Sequence, residues 1–152
     1  MSMQDRIGDS RVLESREVSD GKAIRRRREM LDGKHRFTTY ERIERPNLAV
    51  IKKDGSRVLF DREKLTTAVT VSVGKFFASE LEIEEIVTNV EDAVYALGES
   101  EVTSRQIGDT VLDELRQRNE VAYVRFASVY HEFKTLDEFR NILAQASKSK
   151  AA

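Results

Sequence analysis

The sequence predicts an α+β chain: a small β-ribbon at the front, then a mainly helical back that opens on a β-hairpin. Three observations carry that prediction. Between residues 10 and 43, short strand-like runs are separated by the turn signals Ser19-Asp20-Gly21 and Leu31-Asp32-Gly33-Lys34. Ala49 to Leu65, A-V-I-K-K-D-G-S-R-V-L-F-D-R-E-K-L, reads as strand, tight turn, strand and helix start, because Gly55 tolerates the positive φ that a tight turn takes. From Leu65 onward, apolar residues recur at helical spacing as far as Leu143.

Taken in order, Met1 to Asp9 is polar and short of apolar residues, as expected of a flexible terminus. Ser10 to Val18 forms the first expected strand. Lys22 to Glu29 forms the second and contains Arg25, Arg26, Arg27 and Arg28, which alternate between the two faces of an extended segment. His35 to Ile43 forms the third, with Phe37 as the apolar anchor. Arg45-Pro46-Asn47, holding the only proline, is the natural boundary. The expected division is therefore a ribbon over 1–45, a second domain over 46–146 and a disordered tail over 147–152, with fraying from Ala144.

In the back, Asp61 caps a helix running from about Arg62 to Phe77. Ser79 with Glu82 is a capping box for the next helix, whose stripe Ile83, Ile86, Val87, Val90, Val94 and Leu97 is the most regular in the chain, and Gly98 ends it. Thr103 with Gln106 opens a third helix carrying Ile107, Val111, Leu112 and Leu115. Glu120 to Phe133 forms a fourth, and Thr135 with Glu138 caps a last one. These stripes read as core. Glu84-Glu85 reads as part of a solvated helix face.

The 152 residues are 39% hydrophobic and 35% charged, with a net charge of −1. That balance hides an asymmetry. Residues 1–45 hold 12 Lys/Arg against 9 Asp/Glu, hence +3, and the remainder holds 14 against 18, hence −4. A basic front fits an anionic partner. Cysteine is absent, which excludes a disulfide framework and a thiolate metal site. There is no apolar run of about 18 residues and no signal-peptide core, so a soluble, cytoplasmic chain with no membrane partner is expected. With no G-x-x-x-x-G-K-[ST], no G-x-G-x-x-G and no Ser-His-Asp set, no enzyme is expected and no catalytic residue is assigned.

Two clusters point to phosphate. Lys52, Lys53, Arg57 and Lys64 converge on the hairpin and the helix start, an arrangement that suits a polyphosphate; solvated surface charge is the other reading. The arginine tetrad, with Arg16, Lys22, Lys34, Arg36 and Arg42 in the same module, suits nucleic acid, because the planar guanidinium donates in pairs to phosphate and guanine edges. A solvated charge run is again the alternative.

V-x-K-K-D-G-x-x-x-x-F-x-x-x-K-L resembles the opening of an ATP-cone, the nucleotide-sensing domain at the front of many ribonucleotide reductases. Gly21 to Arg28 (G-K-A-I-R-R-R-R), Arg36 to Arg42 (R-F-T-T-Y-E-R) and Glu120 to Tyr130 (E-V-A-Y-V-R-F-A-S-V-Y) narrow the resemblance to the bacterial repressor family NrdR, a zinc ribbon followed by an ATP-cone. The resemblance implies a homo-oligomeric, ATP- and dATP-responsive transcriptional repressor that binds double-stranded operator DNA upstream of ribonucleotide reductase genes. It implies nucleotide binding by Val50, Ile51, Lys52, Lys53, Arg57, Lys64, Thr103, Tyr123, Arg125 and Tyr130. It implies DNA binding by Arg16, Lys22, Arg25, Arg26, Arg27, Arg28, Arg36 and Arg42. One departure is clear. Zinc is expected for the family, but Ser2, Asp5, Met30 and Gly33 fall where its four cysteines stand, so the ligands are missing and no metal is expected here. Without metal, the ribbon either folds through packing on its neighbours or a partner chain, or is partly disordered. The alternative function is an ATP-cone module for nucleotide binding and oligomerisation whose ribbon no longer binds DNA.

Overall fold

A computed structural model describes residues 5–148 and divides the chain into two compact units, Met1–Pro46 and Asn47–Ala152. The first is an antiparallel three-stranded sheet of β1 (Ser10–Val18), β2 (Ala23–Met30) and β3 (Arg36–Arg42), in the order β1-β2-β3. Val12 pairs with Arg28 and Glu14 with Arg27, so Leu13 is the extra residue of a bulge. The ribbon has little apolar core. Phe37 is only half-buried, so it does not anchor the unit as the sequence suggests; among the described residues of the unit, those buried are Val18, Ala23 and Glu29. At ordinary burial values, Val18 and Ala23 together contribute about 3 kcal/mol. The expected flexible start is in part seated. Ser10 Oγ donates to the Ile7 carbonyl at 2.6 Å, and the Leu31 amide donates to the Asp9 carbonyl at 2.8 Å. Residues 1–4, including Ser2, lie outside the described residues.

The second unit begins with β4 (Ala49–Ile51) and β5 (Arg57–Leu59), joined through a turn in which Gly55 has φ 83°. Five α-helices follow among the described residues: α1 (Arg62–Val73), α2 (Glu80–Tyr95), α3 (Ser104–Arg118), α4 (Glu120–His131) and α5 (Leu136–Lys148). Asp61 Oδ1 accepts from the Glu63 amide at 2.9 Å and starts α1. That helix ends at Val73, earlier than its apolar stripe implies, and Gly74–Phe76 tightens into a 3-10 turn. A strand absent from the sequence reading, β6 (Glu101–Thr103), pairs in parallel with β4 and completes a sheet in the order β5-β4-β6. Its row of Val58, Val50 and Val102 packs on the helices, where Val69, Val73, Ile86, Val87, Val90, Val94, Val111 and Leu115 form the core.

Two further expectations are corrected. The last helix does not fray at Ala144 or end at residue 146: it runs to Lys148, because Ile142 and Ala146 are buried one turn apart. Residues 149–152 lie outside the described residues. Glu84 is not solvated. It is 6% exposed, and Arg62 NH2 donates to it at 2.7 Å and to Thr88 Oγ1 at 3.0 Å, while Arg62 NH1 reaches Glu91 at 3.1 Å. This buried network ties the start of α1 to α2. Glu85 is paired with Arg118 at 3.4 Å.

Candidate functional site

A cleft of about 280 Å³ opens in the second unit, bounded by the β4-β5 hairpin and by α1, α3 and α4. Its walls are apolar: Val50, Val58, Phe60, Leu65, Ala68, Ile107, Val111 and Phe126. Polar groups come from Asp61, Lys64, Ser104 and Tyr130. Tyr130 is held in place. Its hydroxyl donates to the Arg105 carbonyl at 2.9 Å, and its ring lies nearly parallel to that of Phe126, at 6.0 Å and 22°. Burial pushes its phenol above the ordinary tyrosine value. Gly108 makes this seat possible, since a Cβ there would stand 2.3 Å from the Tyr130 Cε2 and Cζ atoms. An apolar slot of this size suits a planar nucleobase, and a cation beside the first turn of a helix suits phosphate.

Of the nucleotide candidates, Val50, Lys64 and Tyr130 line the cleft. Ile51, Arg57 and Thr103 form one cross-strand row, on the opposite face of the sheet from Val50. Arg57 pairs with Glu101 at 3.1 Å. The Thr103 hydroxyl accepts from the Gln106 amide at 3.1 Å, so it serves as a cap. Lys52 and Lys53 are exposed at the hairpin turn. Hydrogen bonds from Ser56 to Asp54 stabilise that turn and hold the Asp54 carboxyl below its usual range. Tyr123 does not line the cleft with Tyr130. It is buried, and its hydroxyl donates to Gln145 of α5 at 3.1 Å. Arg125 is exposed on α4 and absent from the cleft lining. Sequence reasoning missed Phe60, Ser104, Ile107, Gly108 and Phe126. A detectable signal existed for Gly108, because a glycine inside a helix costs about 1 kcal/mol against alanine and so marks a packing need.

In the ribbon, the strand register sorts the arginines. The rows Arg11-Glu29-Arg36, Glu14-Arg27-Thr38, Arg16-Arg25-Tyr40 and Val18-Ala23-Arg42 share one face. That face carries the six arginines Arg11, Arg16, Arg25, Arg27, Arg36 and Arg42 against Glu14 and Glu29. The Arg42 guanidinium lies 4.8 Å over the Tyr40 ring. The other face holds Arg26 and Arg28, with Glu17 and Glu41. Arg26 pairs with Glu41 at 3.3 Å, and Arg28 hydrogen-bonds to Thr39 and Ser10. Lys22 lies in the β1-β2 turn. The tetrad is thus split two and two, and only Arg25 and Arg27 join the basic face.

The ATP cone domain model matches residues 48–136, and the model of the N-terminal domain of NrdR-like transcriptional repressors matches residues 6–41. A transcriptional repressor NrdR of Petrotoga mobilis is 48% identical over 141 residues, covering 93% of this chain and 94% of its own. The chain belongs to the NrdR family. Other NrdR repressors are similarly close: that of Symbiobacterium thermophilum is 50% identical over 143 residues, covering 94% and 95% of the two chains, and that of Streptococcus sanguinis 47% over 139 residues, covering 91% and 88%.

The NrdR ribbon is a zinc ribbon, and the donor set here does not fit zinc. Asp5 is engaged by His35, with Nε2 3.0 Å from Oδ2, Gly33 has no side-chain donor, and a Met30 thioether is a poor zinc ligand. Among the described residues, no three His, Asp or Glu cluster as a metal site would require. No helix among them is long and apolar enough to cross a membrane.

Proposed function

We propose that this chain is a nucleotide-responsive transcriptional repressor whose cone takes ATP or dATP and whose ribbon binds operator DNA upstream of ribonucleotide reductase genes. One observation carries the reading: a face with six arginines and a cleft shaped for a base occur in a single NrdR-family chain. The apolar walls receive the adenine. Lys64, with Ser104 at the start of α3, faces the phosphates, and Lys52 reaches them from the hairpin. Nucleotide and DNA are coupled by linkage: ATP and dATP favour different assemblies of the chain, and those assemblies differ in how they space the ribbons along DNA. The exposed Val71, Val121, Val129 and Leu136 support homo-oligomer surfaces on the cone. A cytoplasmic site of action follows from the DNA partner. No step in this scheme breaks a covalent bond.

Lys64→Ala tests the cleft by isothermal titration with ATP and dATP. Loss of one charge-assisted contact weakens binding by roughly 10- to 100-fold. Unchanged affinity for both nucleotides overturns the placement of the phosphates.

A further inference from the structure

A ribbon that its family builds around zinc, and that here lacks zinc ligands, has to be held by something else. Among its described residues, the apolar core is only Val18 and Ala23. Glu29 stands in the central strand and is the one buried charged residue among the described residues of this unit. Arg11 of β1 donates to Oε2 through Nε at 3.2 Å and through NH2 at 2.7 Å, and Arg36 Nε of β3 lies 3.5 Å from Oε1. One carboxylate therefore ties both outer strands to the middle one. The Arg11 hydrogen bonds, set against partial burial, hold its pKa below the ordinary glutamate value.

The opposite face repeats the device with the charges reversed. Arg28, the neighbour of Glu29 on β2, donates through Nε to Thr39 Oγ1 at 2.9 Å and through NH1 to Ser10 Oγ at 3.2 Å, again reaching β3 and β1. At the end where Asp5, Met30 and Gly33 replace metal ligands, closure is also polar. Asp5 pairs with His35, and the Met30 amide donates to the His35 carbonyl at 2.9 Å.

We propose that this ribbon is metal-independent: its strands are held by Glu29 bound to Arg11 and Arg36 on one face and by Arg28 bound to Ser10 and Thr39 on the other, where the family uses zinc. Both ties are charge-assisted and span all three strands, so losing either one loosens the whole sheet. Arg28 is thereby a positioning residue of the ribbon.

The test uses the full chain and needs neither nucleotide nor operator. Zinc per chain is measured by mass spectrometry after growth with added zinc. Tryptic cleavage after Arg25 and Arg26 is timed with chelator and with zinc, because a folded β2 resists cleavage. The expected results are zinc far below one per chain, slow cleavage unchanged by chelator, and cleavage about tenfold faster in Glu29→Gln and in Arg28→Ala with the cone's cleavage unaltered. Stoichiometric zinc, faster cleavage in chelator, or rapid cleavage of the parent chain in every condition overturns metal independence. Parental protection in both variants overturns the ties.

Discussion

Gly108→Ala probes the wall of the cleft through a single methyl group. The added Cβ would stand 2.3 Å from two Tyr130 ring carbons and 2.7 Å from its hydroxyl oxygen, so the ring has to leave its seat. Overpacking of this kind costs about 1–3 kcal/mol. Losing the Tyr130 hydrogen bond to the Arg105 carbonyl adds about 1 kcal/mol. Replacing a helical glycine by alanine returns about 1 kcal/mol. The net loss is about 2 kcal/mol, which lowers the melting midpoint of a unit of this size by ~10 °C. Far-UV circular dichroism of a double-mutant cycle reads it directly. In a Tyr130→Ala background the obstructing ring is gone, and the same substitution stabilises by up to ~1 kcal/mol. Equal shifts in the two backgrounds refute the seating of Tyr130 on Gly108. Titration with ATP adds a second reading, since a displaced ring alters the wall against which the base would pack.

Three further outcomes are expected. Arg62→Met removes the donor shared by the buried Glu84 and Thr88 and the partly buried Glu91 and destabilises the cone by about 3–5 kcal/mol in urea unfolding, whereas Arg62→Met with Glu84→Leu recovers much of the loss. The pKa of Glu29 is lowered on folding, so its contribution to ribbon stability is present above the ordinary glutamate range and disappears as pH falls through the lowered value; hydrogen exchange of the β2 amides, corrected for the intrinsic pH dependence of exchange, shows this fall in the parent chain and a flatter profile in Glu29→Gln. Arg25→Ala with Arg27→Ala, on the basic face, weakens duplex binding and reduces its salt slope by about 2. Arg26→Ala, on the opposite face, changes that slope far less in the same fluorescence-anisotropy titration.

The legible parts of the fold were those set by local chemistry. Asp61, Ser79 and Thr103 accept from amides two or three residues ahead, and their side chains announce the helix starts. The three ribbon strands were bracketed by turn residues that take positive φ in the structure, Ser19, Asp20, Gly21 and Gly33. What escaped depends on distant partners. The strand β6 has three residues and exists because Val102 completes a row with Val50 and Val58. Glu84 looks solvated in a run of acids, and only the fold brings Arg62 to it. The site divides in the same way. Lys64 and Tyr130 both line the cleft, whereas alternation along β4 sends Ile51, with Arg57 and Thr103, to the other side of the sheet from Val50. Tyr123 and Tyr130 are seven residues apart on α4, yet one meets α5 and the other α3. The bulge at Leu13 decides which residues of β1 share the basic face, and no local signal announced it.

The most direct measurement is equilibrium binding of the full chain to a labelled ribonucleotide reductase operator and to a scrambled duplex, without nucleotide, with ATP and with dATP, at two salt concentrations. A preference for the operator that changes with the nucleotide is the expected result. Equal, salt-sensitive binding to both duplexes in every nucleotide state, or no binding, contradicts the repressor reading and leaves a nucleotide-binding cone beside a ribbon that does not read DNA.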